Sequence, residues 1–182
     1  MPLSLYPSIL EHTKPAFLEK AQQLSSFCDF VQLDVTDGVF TPEKNWLDPD
    51  VVEQALTIPF ELHLMLQQPL TEMPAWFDIS NLKRMIVHVE SDADISTCIH
   101  EAHSHKKEIA LSINPSTPLD VLAPFISEID GVQVMGVIPG KQGQTLLRET
   151  MNRIRTLREM YPTLDIAVDG GVNKETLPEL IA

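Results

Sequence analysis

The sequence predicts an α/β fold: a (β/α)8 barrel that stops after its seventh strand and the helix following it. Three observations carry that prediction. Short apolar stretches rich in β-branched residues recur at intervals of roughly 24 to 34 residues with a helical pattern between them, the βαβ unit repeated. Repeats of this length imply a parallel sheet covered by helices. Polar residues gather at the carboxyl ends of at least five different strands, which suits a barrel whose site is built from all its βα loops. A doubly wound sheet would concentrate them at one switch point. No G-x-G-x-x-G follows the first strand, so nothing supports a dinucleotide site.

The elements follow in order. Leu3 to Leu10 reads as the first strand, with Pro7 marking an irregularity near its end. Thr13-Lys-Pro15 opens a helix to about Phe27, with proline in its first turn. Phe30 to Val35 is the second strand, closed by the turn signal Asp37-Gly38. Asp48-Pro49 starts the next helix as cap and first helical residue. Phe60 to Met65 is the third strand, and Leu70 to Ile79 a helix that Pro74 shortens or bends. Arg84 to Glu90 is the fourth strand, followed by a helix over Asp92 to Lys106. Glu108 to Asn114 is the fifth, with Thr117-Pro118 capping the following helix. Gly131 to Val137 is the sixth, then comes the glycine-containing loop Pro139-Gly-Lys-Gln-Gly143 and a long amphipathic helix to about Met160. Asp165 to Asp169 is the seventh, ending at Gly170-Gly171, and Asn173 caps a helix still running at Ala182. A full barrel takes about 250 residues and rarely fewer than 200. The 182 residues are therefore expected to form one barrel domain over 1–182 without its last βα unit. That leaves the first and seventh strands with unpaired edges, a route to homo-oligomers.

Composition narrows the function. The formal net charge of −13 repels nucleic acid and anionic membrane. It leaves room for a small phosphorylated ligand, which backbone N–H groups and one lysine can hold locally. Hydrophobic residues make up 43 %, yet no tract approaches the ~18 apolar residues of a membrane span. Met1-Pro-Leu-Ser-Leu-Tyr6 has neither a basic start nor a long apolar segment, so no signal peptide is expected. Cys28 and Cys98 show neither metal spacing nor a disulfide framework, which suits a cytoplasmic protein.

Alternation along the strands places Gln32 and Asp34 on one face, opposite Leu33 and Val35. Asp34 alone is accounted for by the turn that follows it. A lone His63 on the third strand is ordinarily a satisfied core residue, and Asp169-Gly-Gly171 is ordinarily a turn. Together with Ser8, His88 and Asn114, they place two carboxylates and a histidine at one end of one sheet. Two opposed carboxylates allow proton abstraction on one side of a carbon and delivery on the other. With the histidine they also form a donor set for a divalent metal, a Lewis acid for an enediolate. The loop Pro139 to Gln144 precedes a helix and has the glycines that let backbone approach a phosphate. Cys98, His100, His103 and His105 lie close in sequence but on different faces of their helix, so no metal site is expected there. Trp46 and Trp76 are expected to be packing residues, and Glu149, Arg153 and Arg155 a solvated helix face.

In order along the chain stand Pro7-Ser-Ile-Leu10, Leu33-Asp-Val-Thr-Asp-Gly38, His63-Leu-Met65, Val134-Met135 with Pro139-Gly140, and Val168-Asp-Gly-Gly-Val172. This ordered set resembles the ribulose-phosphate 3-epimerase family of TIM-barrel enzymes of the pentose phosphate pathway, and the likeness covers nearly the whole chain. The resemblance implies interconversion of D-ribulose 5-phosphate and D-xylulose 5-phosphate. It implies Asp34 and Asp169 as the acid/base pair and Asp34, His63 and Asp169 as metal ligands. It implies substrate contacts from Ser8, His63, Met65 and Met135, with the phosphate held by Gly140, Lys141, Gln142, Gly143, Gly170 and Gly171.

Several positions depart from the family pattern. Gln32 stands where the family has a metal-binding histidine, and its neutral amide oxygen is a poor zinc ligand. A divalent metal, whether Zn²⁺, Mn²⁺ or Fe²⁺, is therefore expected to be weakly bound or absent. Thr36 replaces a methionine, and Gly-Lys-Gln-Gly replaces the family's G-F-G-G loop, adding Lys141. Gln32 and the missing last βα unit keep a second reading alongside the first, a sugar-phosphate-binding homologue impaired in catalysis. A decarboxylase on the same kind of barrel would call for a D-x-K motif, and the sequence has none.

Overall fold

Seven parallel strands form one sheet in chain order: β1 (Ser8–Ile9), β2 (Val31–Thr36), β3 (Phe60–Met65), β4 (Leu82–His88), β5 (Glu108–Ile113), β6 (Gly131–Met135) and β7 (Ile166–Asp169). A computed structural model describes residues 3–140 and 142–181. Between the strands lie α1 (Lys14–Ser25), α2 (Pro49–Ala55), α3 (Pro69–Glu72), α4 (Ile95–Ser104) and α5 (Glu149–Met160), and α6 (Leu177–Leu180) follows β7. The sheet is curled into an incomplete barrel, as a contact across it requires. β3 and β7 are four places apart in the sheet, which in a flat sheet is roughly 19 Å. Yet His63 of β3 and Asp169 of β7 approach to 3.2 Å. Among the described residues no strand joins β7 back to β1.

The two faces of the sheet differ in chemistry. Leu33, Leu62, Leu64, Met85, Val87, Ile109, Leu111, Val132 and Val134 point outward and are buried under Phe17, Leu24, Val52, Leu56, Cys98, Ile99 and Leu157. This layer between sheet and helices is the apolar core. The opposite parity faces inward and carries Gln32, Asp34, Thr36, Glu61, His63, His88, Ser112 and Gln133, all buried. Such a burden of buried polar groups is stable only if they partner one another. Helix starts follow the sequence signals. Thr13, Asp48 and Asp94 have extended backbones and accept hydrogen bonds from Ala16 N–H, Asp50 N–H and Ser96 N–H respectively.

Several elements differ from expectation. The first strand is two residues long rather than eight, because Pro7 lacks an N–H and the edge has a single neighbour. Leu3 and Leu5 upstream are exposed. The segment around Pro74 splits into α3 and a 3-10 turn over Met73–Trp76. After Thr117-Pro118 only a 3-10 turn forms, Leu119–Leu122, since Pro124 follows and blocks continuation. α5 begins only at Glu149, because Leu147 N–H is committed to the carbonyl of Gly136 at 2.8 Å. Asn173 does cap, accepting from Glu175 and Thr176 N–H, but regular helix is confined to Leu177–Leu180. Trp76 is buried as expected, and Trp46 packs against the core beside Phe17.

Candidate active site

The carboxyl end of β2 is held by its own loop. Asn45 donates from its amide to the Asp34 carbonyl at 2.7 Å and accepts from Thr36 N–H at 2.8 Å, while the Thr36 hydroxyl accepts from Asn45 N–H at 2.9 Å. Asp37 then accepts from Val39 and Phe40 N–H and, through its second oxygen, from Gln67 N–H after β3. Burial raises the Asp37 carboxyl, but these three N–H groups outweigh it and hold the pKa below its ordinary value. Thus Asp34 sits on a fixed strand end, in register with His63.

Inside the curl, His63 Nδ1 lies 3.2 Å from Asp34 Oδ1 and 3.2 Å from Asp169 Oδ2. Gln32 donates from Nε2 to Asp34 Oδ1 at 2.8 Å, and Gln133 donates to Asp169 Oδ2 at 3.4 Å. Behind the carboxylates, His63 Nε2 meets His88 Nε2 at 2.9 Å, and His88 Nδ1 meets Glu90 Oε2 at 3.2 Å. Burial alone would depress His63, but hydrogen bonds and charge from Asp169 and Asp34 raise its pKa to about 9. His63 is therefore a cation between two acids. His88 has no such pair, and burial pushes it down to about 4. The two acids diverge. Burial raises Asp34, whereas the hydrogen bond and charge of His63 overcome burial at Asp169 and lower it. Titratable groups pushed apart in this way are poised as acid and base.

Donor atoms of Asp34, His63 and Asp169 all lie within 4.8 Å of one another. Two carboxylates and an imidazole fit a divalent cation. Gln32 turns its NH₂ toward this cluster, and a donor group cannot ligate a cation.

The remaining expected site residues distribute around the trough that the curl leaves open. Ser8 pairs in register with Gln32, Met65 with Thr36, and Met135 with Asp169. Both methionines are buried. Gly140 (φ +102°), Gly143 (φ +73°), Gly170 (φ +89°) and Gly171 (φ +73°) adopt left-handed backbones after β6 and β7. These two loops interlock. Gly136 N–H donates to the Asp169 carbonyl at 2.7 Å, and a Cβ on Gly171 would come within 2.6 Å of the Leu146 backbone. Gln142 donates to the Leu10 carbonyl at 3.1 Å, and Lys141 lies outside the described residues. Asn114, expected to point inward, takes part through its backbone: its N–H donates to Glu90 Oε1 at 2.8 Å and its carbonyl accepts from Arg153 at 3.1 Å. The histidines of α4 stay apart, His105 stacked on Phe77 and His103 beside Asp130. Glu90 and Gln133 are cluster members that sequence reading missed. The parity of Met135 was a signal for Gln133, and alternation along the expected strand Arg84 to Glu90 likewise puts Glu90 on the face of His88.

An incomplete parallel barrel with paired acids at the carboxyl ends of its strands has the architecture of an α/β-barrel enzyme. Comparison with known proteins makes this specific. Residues 4–182 match the ribulose-phosphate 3 epimerase family, and the chain belongs to that family of carbohydrate epimerases. It is 31 % identical over 168 residues to a ribulose-phosphate 3-epimerase of Schizosaccharomyces pombe, covering 87 % of this chain and 72 % of that one. A Bacillus subtilis ribulose-phosphate 3-epimerase is likewise 31 % identical over 161 residues, covering 84 % of this chain and 73 % of the relative. Among solved structures, a Mycobacterium tuberculosis tryptophan synthase superposes with a TM-score of 0.68 over 96 % of this chain and 77 % of that one. At 11 % identity that likeness concerns the fold alone. No helix among the described residues is long and apolar enough to cross a membrane.

Proposed function

We propose that the chain, acting as one ribulose-phosphate-binding domain, interconverts D-ribulose 5-phosphate and D-xylulose 5-phosphate by proton transfer between Asp34 and Asp169. The observation that carries this reading is the placement of both carboxylates around one imidazole, each 3.2 Å from His63 Nδ1. In one direction Asp169, the acid held ionised, removes the proton from C3. The C–H electron pair forms the C2–C3 double bond and the carbonyl electrons move to oxygen, giving an enediolate. Asp34, whose raised pKa favours the protonated form, returns a proton to the other face of C3. In the reverse direction the two exchange roles. The His63 cation compensates the negative charge that collects during the step.

A divalent ion held by Asp34, His63 and Asp169 would polarise the substrate oxygen as a Lewis acid. The amide of Gln32 supports weak binding of such an ion, because it spends its NH₂ on Asp34 in the place of a fourth ligand. The glycines of the two interlocked loops, with Gln142 and Lys141, bind the phosphate, while Ser8, Met65 and Met135 line the sugar. Replacing Gly140 with leucine is expected to weaken sugar-phosphate binding at least tenfold, since Thr41 Cβ stands 2.8 Å from where a Cβ would be. Binding that stays unchanged by calorimetry places the phosphate elsewhere. Two free thiols, Cys28 and Cys98, suit a cytoplasmic setting.

The second reading, a catalytically impaired sugar-phosphate-binding homologue, rests on Gln32, which stands in the place of a metal-binding histidine. Deuterium at C3 of the substrate separates the two. Wash-out of label into water is expected of the epimerase, and retained label with intact sugar-phosphate binding identifies the impaired homologue.

A further inference from the structure

Glu90 touches none of the reacting carboxylates, yet it ends a chain of buried polar groups that begins at them. Its Oε1 is fixed by Asn114 N–H at 2.8 Å, and its Oε2 faces His88 Nδ1 at 3.2 Å. His88 and His63 then face each other through Nε2 at 2.9 Å, with ring planes 21° apart. The Phe40 ring packs against His88, its centroid 4.7 Å away. Both histidines are fully buried, so water does not substitute for a missing partner.

We propose that Glu90 is a positioning residue. Acting through His88, it keeps a proton on His63 Nε2, so that Nδ1 alone serves the carboxylates, donating to them in the free protein or ligating a cation they hold once its own proton has left. The argument is one of donors and acceptors. Two imidazole nitrogens at 2.9 Å share a single proton between them: two N–H groups would clash, and two lone pairs would repel. Glu90 decides which ring owns it. Its carboxylate accepts only, so His88 Nδ1 must carry a hydrogen. The neutral His88 ring then has a bare Nε2, which accepts from His63 Nε2–H. The opposite assignment would set the bare Nδ1 of His88 against a carboxylate oxygen. Partners beyond the first ring of donors commonly orient a ligating histidine in this way, and their loss costs about 10- to 100-fold in metal affinity. The inference rests on Asp34, His63 and Asp169 being the working cluster, but not on which sugar phosphate they act upon.

Glu90→Gln is the sharpest test. An amide has one oxygen, and the Asn114 N–H claims it, so the NH₂ is left facing His88 Nδ1. Long-range proton–nitrogen NMR correlation on the metal-free full chain reads each ring directly. The native protein is expected to show Nδ1–H with a bare Nε2 on His88, and both Nδ1–H and Nε2–H on His63. In Glu90→Gln, His88 is expected to move its proton to Nε2. Titration with zinc alone is expected to give a Kd about 10- to 100-fold weaker for Glu90→Gln and His88→Leu. His88→Gln, whose Oε1 still accepts from His63, is expected to recover to within about threefold of native. If the native chain takes up no zinc, or Glu90→Gln does not fold, the ring pattern of the native protein decides by itself. Nε2–H on native His88 overturns the proposal, as does a folded Glu90→Gln with unchanged ring pattern and zinc affinity. Failure of the epimerase reading would show instead as absent turnover with this ring pattern intact.

Discussion

At the carboxyl end of the strands His63 stands between Asp34 and Asp169, 3.2 Å from each. At the amino end of the same curled sheet Arg84 stands among Glu61, Glu108 and Asp165, at 3.8, 2.9 and 3.2 Å. Both clusters place one cation among carboxylates, and both line one trough. They differ in the cation. Guanidinium stays charged at any working pH, and its acidic neighbours hold it more firmly so. Imidazole can give up its charge, and it sits where the acids themselves have been driven apart in pKa. The lower cluster fastens strands together, whereas the upper one can move a proton. Proximity of opposite charges is common to both, so it does not distinguish a site from a strut; the capacity to titrate does.

Six substitutions break or sharpen that contrast. Asp34→Asn and Asp169→Asn are each expected to lower kcat by about 10³-fold or more while cooperative unfolding persists, because each removes one proton-transfer group. Turnover assays beside circular dichroism check this, and either variant keeping most of its activity removes the mechanism. Arg84→Met should do the reverse. Leaving Glu61 and its neighbours without their cation is expected to cost about 3 kcal/mol in urea unfolding, with the chemistry at the other end retained.

Glu61→Gln has a pH-dependent effect. Burial raises the Glu61 carboxyl to about 7 despite the attraction of Arg84. Between its ordinary value and about 7, the native state binds more protons than the unfolded one, so stability falls as pH rises. The contribution is complete below about 4.5 and lost through 7. Glutamine lacks this titration. Stability of the variant relative to native should therefore climb by about 3 kcal/mol from pH 4 to pH 8. A difference independent of pH would mean that Glu61 is ionised throughout. Smallest is Gln32→His, which adds an imidazole to the upper cluster and should tighten zinc about tenfold, whereas Gln32→Ala should not abolish metal-independent turnover. Tight stoichiometric zinc in the native chain, with activity lost on chelation and restored by zinc, would show Gln32 to be no obstacle.

Much of this was legible in the sequence, for physical reasons that vary along the chain. Strand parity puts Gln32 and Asp34 on one face of their strand, whereas the register that sets Asp34 beside His63 emerges only from the pairing of β2 with β3. Local chemistry also marked the helix caps at Thr13 and Asp48 well, whereas the helix expected from Asp92 starts only after its cap Asp94. Local chemistry marked β1 poorly, because an edge strand's length depends on its neighbour and not on its own residues. The His88–Glu90 link was hidden for a related reason. It depends on the Asn114 backbone, contributed from another strand end. Arg84 was visible only as a strand's first residue, since its partners come from β3, β5 and the turn before β7.

The interlock of the loops after β6 and β7 has a thermodynamic consequence. With Gly136 laced to the Asp169 carbonyl and Gly171 lying against the Leu146 backbone, neither loop can swing out alone. Their left-handed glycines already point the chain along its final path. If these loops hold the phosphate as proposed, its arrival orders little of the protein, and the conformational entropy lost on association falls mainly on the ligand. Affinity at this end of the molecule is thus set by how well the ligand matches a surface that exists before it arrives.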